Sequence, residues 1–178
     1  MTQPRILVAG VGNIFCGDDA YGVEVVGRLL RERRLPLVDV VDFGIRGLDL
    51  AYALSDGYDC VIIADAAARG EKPGTVSLLE PEVEPSRAEA PPAAFNSAHG
   101  LDPERVLGLV TMLGGGCKRI FFVVCEPFDL GGEDGAMGLS QVVAGAVQSG
   151  VELIERLVSS IIRDEIGEDA TLGDRSLS

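Results

Sequence analysis

Five short apolar runs, alternating with stretches of helical periodicity, constrain this chain more than any other feature. The runs are Arg5–Gly12 (RILVAGVG), Pro36–Phe43 (PLVDVVDF), Asp59–Ala66 (DCVIIADA), Gly74–Leu79 (GTVSLL) and Lys118–Cys125 (KRIFFVVC). Short runs rich in β-branched residues and bounded by turn residues read as buried strands. Between them, Tyr21–Arg33 and Arg46–Leu54 read as helices. A further helix starts at Asp102-Pro103-Glu104, an N-cap acceptor followed by proline at the first helical position, and runs to Leu113. Leu139–Arg163 reads as a long closing helix. In the first helix Val23, Val26 and Leu30 are expected on the buried face, with Arg28, Arg31 and Arg34 away from it. Strands separated by helices need crossover connections, which give a mostly parallel sheet with helices on both faces. The expected fold is therefore α/β: a single-domain three-layer sandwich over residues 1–163 around a twisted five-stranded sheet. Residues 164–178 are polar and expected to be a flexible tail. The proline-rich stretch 81–98 reads as a loop long enough to carry function.

Composition narrows the function. The chain has 178 residues, 28 of them acidic and 15 Lys or Arg, for a net charge of −13. That excess disfavours nonspecific contact with nucleic acid or anionic lipid and favours a cation or a basic partner segment. At 47% hydrophobic and 24% charged residues it is nonetheless a globular chain, not an acidic disordered one. The apolar stretch Ile6–Val11 is too short to span a membrane, and no cleavage signature follows it. Cys16, Cys60, Cys117 and Cys125 are scattered, with no paired spacing that would suggest a zinc site or redox couple. A reduced, cytoplasmic protein is expected.

In a parallel sheet ligands bind beyond the carboxyl ends of the strands, so candidate residues are those directly after a strand. The first such loop runs Gly10-Val11-Gly12-Asn13-Ile14-Phe15 and then Cys16-Gly17-Asp18-Asp19. A dinucleotide fingerprint would need glycine where Phe15 stands, and no phosphate-binding GxxxxGK[ST] occurs. What the loop does hold is the carboxylate pair Asp18-Asp19 at a helix entrance, where one aspartate serves as a cap and two exceed that need. Asp65 ends the third run. His99, the sole histidine, lies in a loop just ahead of a helix. Two carboxylates and an imidazole suit a borderline divalent ion such as nickel or zinc, and the same trio could act as general acid and base without metal. Asp42-Phe43-Gly44 with Gly47 ends the second run at the same edge. Two other readings stay open at this level: Mg²⁺-assisted phosphoryl chemistry around Asp18, Asp19 and Asp65, and a non-catalytic metal- or peptide-binding chaperone. The first lacks any Lys or Arg in the first loop to hold a phosphate.

Over residues 5–160 the chain resembles the hydrogenase maturation proteases. The resemblance rests on Gly10-Val11-Gly12-Asn13 followed by Asp18-Asp19 and Gly22, on Asp42-Phe43-Gly44 with Gly47, on Ile63-Ala64-Asp65-Ala66, and on His99. Those endopeptidases clip the C-terminal extension from the large subunit of nickel–iron hydrogenases. The resemblance implies a metal-recognising trio of Asp19, Asp65 and His99, reading nickel already inserted in the precursor. It implies catalytic roles for these three, with Asp18 or Asp19 as a candidate base, and substrate contacts at Asp42, Gly44 and Gly47. Phe43 stands where the family usually has glycine. The implied partner is a nickel-loaded large-subunit precursor, and the nickel arrives with it, so no tightly bound cofactor of the enzyme's own is expected.

Overall fold

The computed structural model describes residues 4–81, 117–132 and 134–172, with side chains described up to Asp164. The elements are β1 (Ile6–Val11), a 3-10 turn (Gly17–Ala20), α1 (Tyr21–Glu32), β2 (Asp39–Gly44), α2 (Gly47–Leu54), β3 (Cys60–Ala66), β4 (Val76–Leu79), β5 (Arg119–Cys125) and α3 (Gln141–Leu172). They form one five-stranded sheet in the order β2-β1-β3-β5-β4. β1, β2, β3 and β5 are parallel, and β4 runs antiparallel along β5 at the edge. The expected α/β fold is therefore the observed one. The helix expected at 102–113 and the loop at 81–98 lie outside the described residues, apart from Pro81.

Alternation along the strands divides the core in two. Ile6, Val8, Ile62, Ala64, Phe121 and Val123 face α1 and α3, whose contributions include Tyr21, Val25, Leu29, Val151 and Ile154. Leu7, Ala9, Val61, Ile63, Phe122 and Val124 face the other way, with Leu50 and Leu54 of α2. β1 and β3 are buried along their whole length, as strands covered on both faces must be, which explains their near-continuous apolar sequence.

Three local expectations are corrected. The buried face of α1 is Tyr21, Gly22, Val25, Val26 and Leu29, while Leu30 is 48% exposed and Val23 half-buried. The helix is rotated because Gly22 is the point at which it touches the sheet. A Cβ there would stand 2.0 Å from the Ala64 carbonyl oxygen and 2.3 Å from that of Val11, so no other residue lets α1 lie so close. β2 begins at Asp39, not Pro36, because residues 36–38 turn: the Val38 N–H donates to Leu35 O at 3.3 Å. α3 continues past the expected end at Arg163 to Leu172. It is tied to the end of α1 by the half-buried ion pair of Arg34 Nε with Glu155, at 2.7 Å.

Candidate active site

The connection after β1 passes over one face of the sheet through α1, and that after β2 over the other through α2. β1 and β3 are neighbours, so the strand order reverses between them. A crevice opens at such a reversal, beyond the carboxyl ends of the two strands, and ligands bind there in open α/β sheets. Two of the aspartates singled out by the sequence, Asp19 and Asp65, belong to elements at that point. Asp65 is the penultimate residue of β3, and the 3-10 turn that carries Asp19 packs against β3.

The loop leaving β1 is held by its own backbone. The Gly12 N–H donates to Gly44 O at 3.0 Å, which joins the ends of β1 and β2. Gly12 has φ of 139° and passes so close to the turn that a Cβ would sit 1.8 Å from Asp19 O. The next residue donates its main-chain N–H to Asp19: Asn13 N to Oδ2 is 2.7 Å. Asp19 is half-buried. Burial raises its carboxyl pKa above the ordinary value, and the Asn13 donor opposes that shift only in part. Asp65 is 1% exposed, and its Oδ1 accepts the Ala66 N–H at 2.8 Å.

Asp18 sits differently. Its side chain has no exposure, and its Oδ2 accepts the N–H groups of Phe128 (2.8 Å) and Asp129 (2.9 Å) and the Ser140 hydroxyl (2.9 Å). Its Oδ1 accepts the Ser140 N–H at 2.6 Å. Burial alone would raise its pKa, but the donors from Asp129, Ser140 and Phe128 outweigh it and hold the carboxyl below its ordinary value. A carboxylate so fully engaged, and so weakly basic, is poorly suited to accept a proton from a reacting water. The adjacent aspartates therefore differ: Asp18 is buried and anchors the loop, while Asp19 is half-buried and, among the described residues, takes the Asn13 N–H on its carboxylate.

The remaining candidates separate similarly. Asp42 and Gly44 line a groove of about 320 Å³ with Gly12, Asn13, Ile14, Phe15, Phe43 and Arg46, and Asn13 on its wall is also the residue whose N–H meets Asp19. Gly47 is not on that groove and begins α2. Arg46 turns back on its own loop, donating to Phe43 O at 3.1 Å and to Asp42 O, so its charge shapes the turn. His99 lies outside the described residues, and among those described no three of His, Cys, Asp and Glu stand close enough together to hold a metal ion. Burial pushes the Cys60 and Cys125 thiols up to about 12, in keeping with small core residues.

Sequence reasoning missed three contributors. Asn13 acts through its backbone, which side-chain chemistry does not reveal. Ser140 precedes α3, and its hydroxyl also accepts the Val143 N–H at 3.4 Å, so its N-cap type was the available signal. Glu126, only 8% exposed, directly follows β5 and accepts the N–H of Arg69 at 2.7 Å and of Gly70 at 3.3 Å. The test that selected Asp65, a charged residue at a strand end, would have selected it too.

Comparison with known proteins decides the class. The family model for hydrogenase maturation proteases (HycI) matches residues 23–157. The chain belongs to the hydrogenase maturation protease family. It is thereby a peptide-bond hydrolase. The hydrogenase 2 maturation protease of Escherichia coli K12 is 36% identical over 166 residues, covering 85% of this chain and 96% of that protein. A hydrogenase expression/formation protein HupD of Rhizobium leguminosarum bv. viciae is 31% identical over 158 residues, covering 88% and 75%. Among solved structures, the hydrogenase maturating endopeptidase HybD from E. coli superposes with a TM-score of 0.62 at 28% identity, covering 84% of this chain and 89% of that one. A hydrogenase 2 maturation peptidase from a Thaumarchaeota archaeon gives 0.65 at 30% identity, covering 87% and 98%. Among the described residues of this family member, no helix is long and apolar enough to cross a membrane.

Proposed function

We propose that this maturation protease removes the C-terminal extension of a nickel–iron hydrogenase large-subunit precursor once nickel has been inserted, and that Asp19, Asp65 and His99 read the nickel carried by that substrate. One observation carries the reading: Asp65 lies buried at the end of β3, and the turn that bears half-buried Asp19 packs against that strand at the sheet's reversal. Two carboxylate oxygens with an imidazole form a donor set suited to a borderline divalent ion. A set of three leaves the shell of the ion incomplete, so affinity depends on the ligands that the precursor brings. Cleavage then becomes conditional on nickel insertion. An ion held there would polarise the scissile carbonyl or an attacking water. The chain's own part is to orient: Asn13 holds one oxygen of Asp19, and the groove beside Asp42 and Gly44 takes the precursor segment next to the scissile bond.

The test is cleavage of a nickel-loaded precursor by Asp19→Asn, Asp65→Asn and His99→Ala, with circular dichroism to verify that each variant folds. Each is expected to abolish tail release. Full activity in all three overturns the reading, and binding of precursor without cleavage by the unmutated chain would point to a chaperone instead.

A further inference from the structure

The segment that leaves β5 touches both acid-bearing connections. At its start, the Glu126 carboxylate accepts the Arg69 and Gly70 N–H groups, and its main chain pairs with the same connection, Glu126 N to Thr75 O at 2.9 Å and Gly74 N to Glu126 O at 2.8 Å. Just ahead of it, Cys125 O accepts the Ala67 N–H at 3.0 Å. The chain that follows Asp65 is thus gripped from residue 67 to residue 75. Two residues beyond Glu126, the amides of Phe128 and Asp129 reach the Asp18 carboxylate, and at the far end Ser140 reaches it twice more. Main-chain bonds reinforce that grip: Gly17 N to Ala136 O at 2.7 Å, Asp18 N to Asp129 O at 2.8 Å and Ala136 N to Phe15 O at 3.0 Å. Asp18 is covalently next to Asp19. Segments 126–129 and 136–140 together therefore clamp the loop beyond Asp65 at one end and the turn that presents Asp19 at the other.

We propose that the segments Glu126–Asp129 and Ala136–Ser140 together form a positioning bracket that sets the separation of the Asp19 and Asp65 carboxylates, with Glu126 and Ser140 as positioning residues that act through the loop after Asp65 and through Asp18. The proposal rests on the reading that those two carboxylates act together. Glu126 and Ser140 touch neither the groove nor the crevice side of Asp19, so the bracket contributes to geometry and not to docking. Groups that orient metal-reading side chains from behind typically change affinity or activity 10- to 100-fold when removed.

The experiment compares the unmutated chain with Ser140→Ala, Ser140→Thr, Glu126→Ala and Glu126→Gln in two assays. The first is amide hydrogen exchange, which needs no substrate. The Asn13 N–H bonds to Asp19 and the Ala66 N–H to Asp65, so each reports its own carboxylate. Ser140→Ala is expected to speed exchange at Asn13 by at least about tenfold, and Glu126→Ala at Ala66, with Ile62 and Val123 in the sheet unchanged. The second is steady-state cleavage of nickel-loaded precursor. Both alanine variants are expected to lose about 10- to 100-fold in kcat with KM within about threefold. Ser140→Thr keeps the hydroxyl, and Glu126→Gln keeps an oxygen for Arg69, so each restores most of kcat. Unchanged exchange at Asn13 and Ala66 overturns the bracket whether or not the chain cleaves. Faster exchange with kcat untouched overturns it as well. Failure of the unmutated chain to cleave any nickel-loaded precursor removes the functional reading, and the exchange result then decides the bracket by itself.

Discussion

Two glycines in α1 should respond to alanine with opposite signs. In an exposed helix interior, glycine to alanine stabilises by about 1 kcal/mol, because alanine loses less backbone entropy on folding. Gly27 approaches that situation: a Cβ there meets only the end of the Arg31 side chain, at 3.2 Å, which can swing away. Gly22 does not. Its Cβ would lie 2.0 Å from Ala64 O, and relaxing that contact to the 3.4 Å where ordinary packing begins moves the helix outward by about 1.4 Å. Neither Ala64 nor Val11 can yield, because both belong to the central strands. The shift opens a gap under Tyr21, Val25, Val26 and Leu29, all essentially buried. Burying four such side chains is worth about 6–12 kcal/mol, and a gap near 1 Å forfeits roughly a quarter to a half of close contact energy. The loss is then about 1.5–6 kcal/mol, offset by about 1 kcal/mol of helix propensity. Urea unfolding should therefore show Gly22→Ala destabilised by about 0.5–5 kcal/mol and Gly27→Ala stabilised by up to about 1 kcal/mol. Gly22→Ala should also lose cleavage, since the 3-10 turn bearing Asp19 runs directly into α1. Equal signs for the two substitutions would refute the packing argument, and a stable, active Gly22→Ala would refute it outright.

Two further outcomes follow from single residues. Asp18→Asn presents an amide to donors that met a carboxylate and should cost about 2–4 kcal/mol at neutral pH, from charge-assisted bonds of about 1.5–3 kcal/mol each with partial replacement. Because the folded pKa of Asp18 is depressed, its contribution is complete above the unfolded carboxylate value of about 4 and is lost as pH falls through the lower folded value. The difference in urea midpoint between the two proteins should therefore shrink as pH falls below the unfolded carboxylate value of about 4; an unchanged difference would show that the charge does not hold the loop. Arg33 ends α1 in the left-handed region at φ 49°, a conformation that costs a non-glycine residue roughly 1 kcal/mol or more. Arg33→Gly should raise the unfolding free energy by about 0.5–1 kcal/mol, and a fall would mean that its side chain makes a contact worth more than the strain.

Much of this protein was legible from local pattern. Strands β1, β3 and β5 are apolar along most of their length because both faces of the sheet are covered, and that burial is written into consecutive residues. Asp65 at the end of one run and Asp18-Asp19 at the mouth of a helix were visible for the same reason, since position after a strand is a property of neighbouring residues. The face of α1 was not legible, because the residue that sets it is a glycine, and a hydrophobic pattern ignores glycine. That Asp18 is taken up by distant donors was equally out of reach of local pattern, and only the family resemblance singled out Asp19. Asp18 is consumed by donors 110 to 122 positions away, and Asp19 is held by one six residues before it. The order of the strands, the antiparallel edge strand β4 and the grip of Glu126 and Ser140 likewise arise from segments distant in sequence. Hydrophobic periodicity decides which residues are buried, and the tertiary fold alone decides which buried polar groups meet.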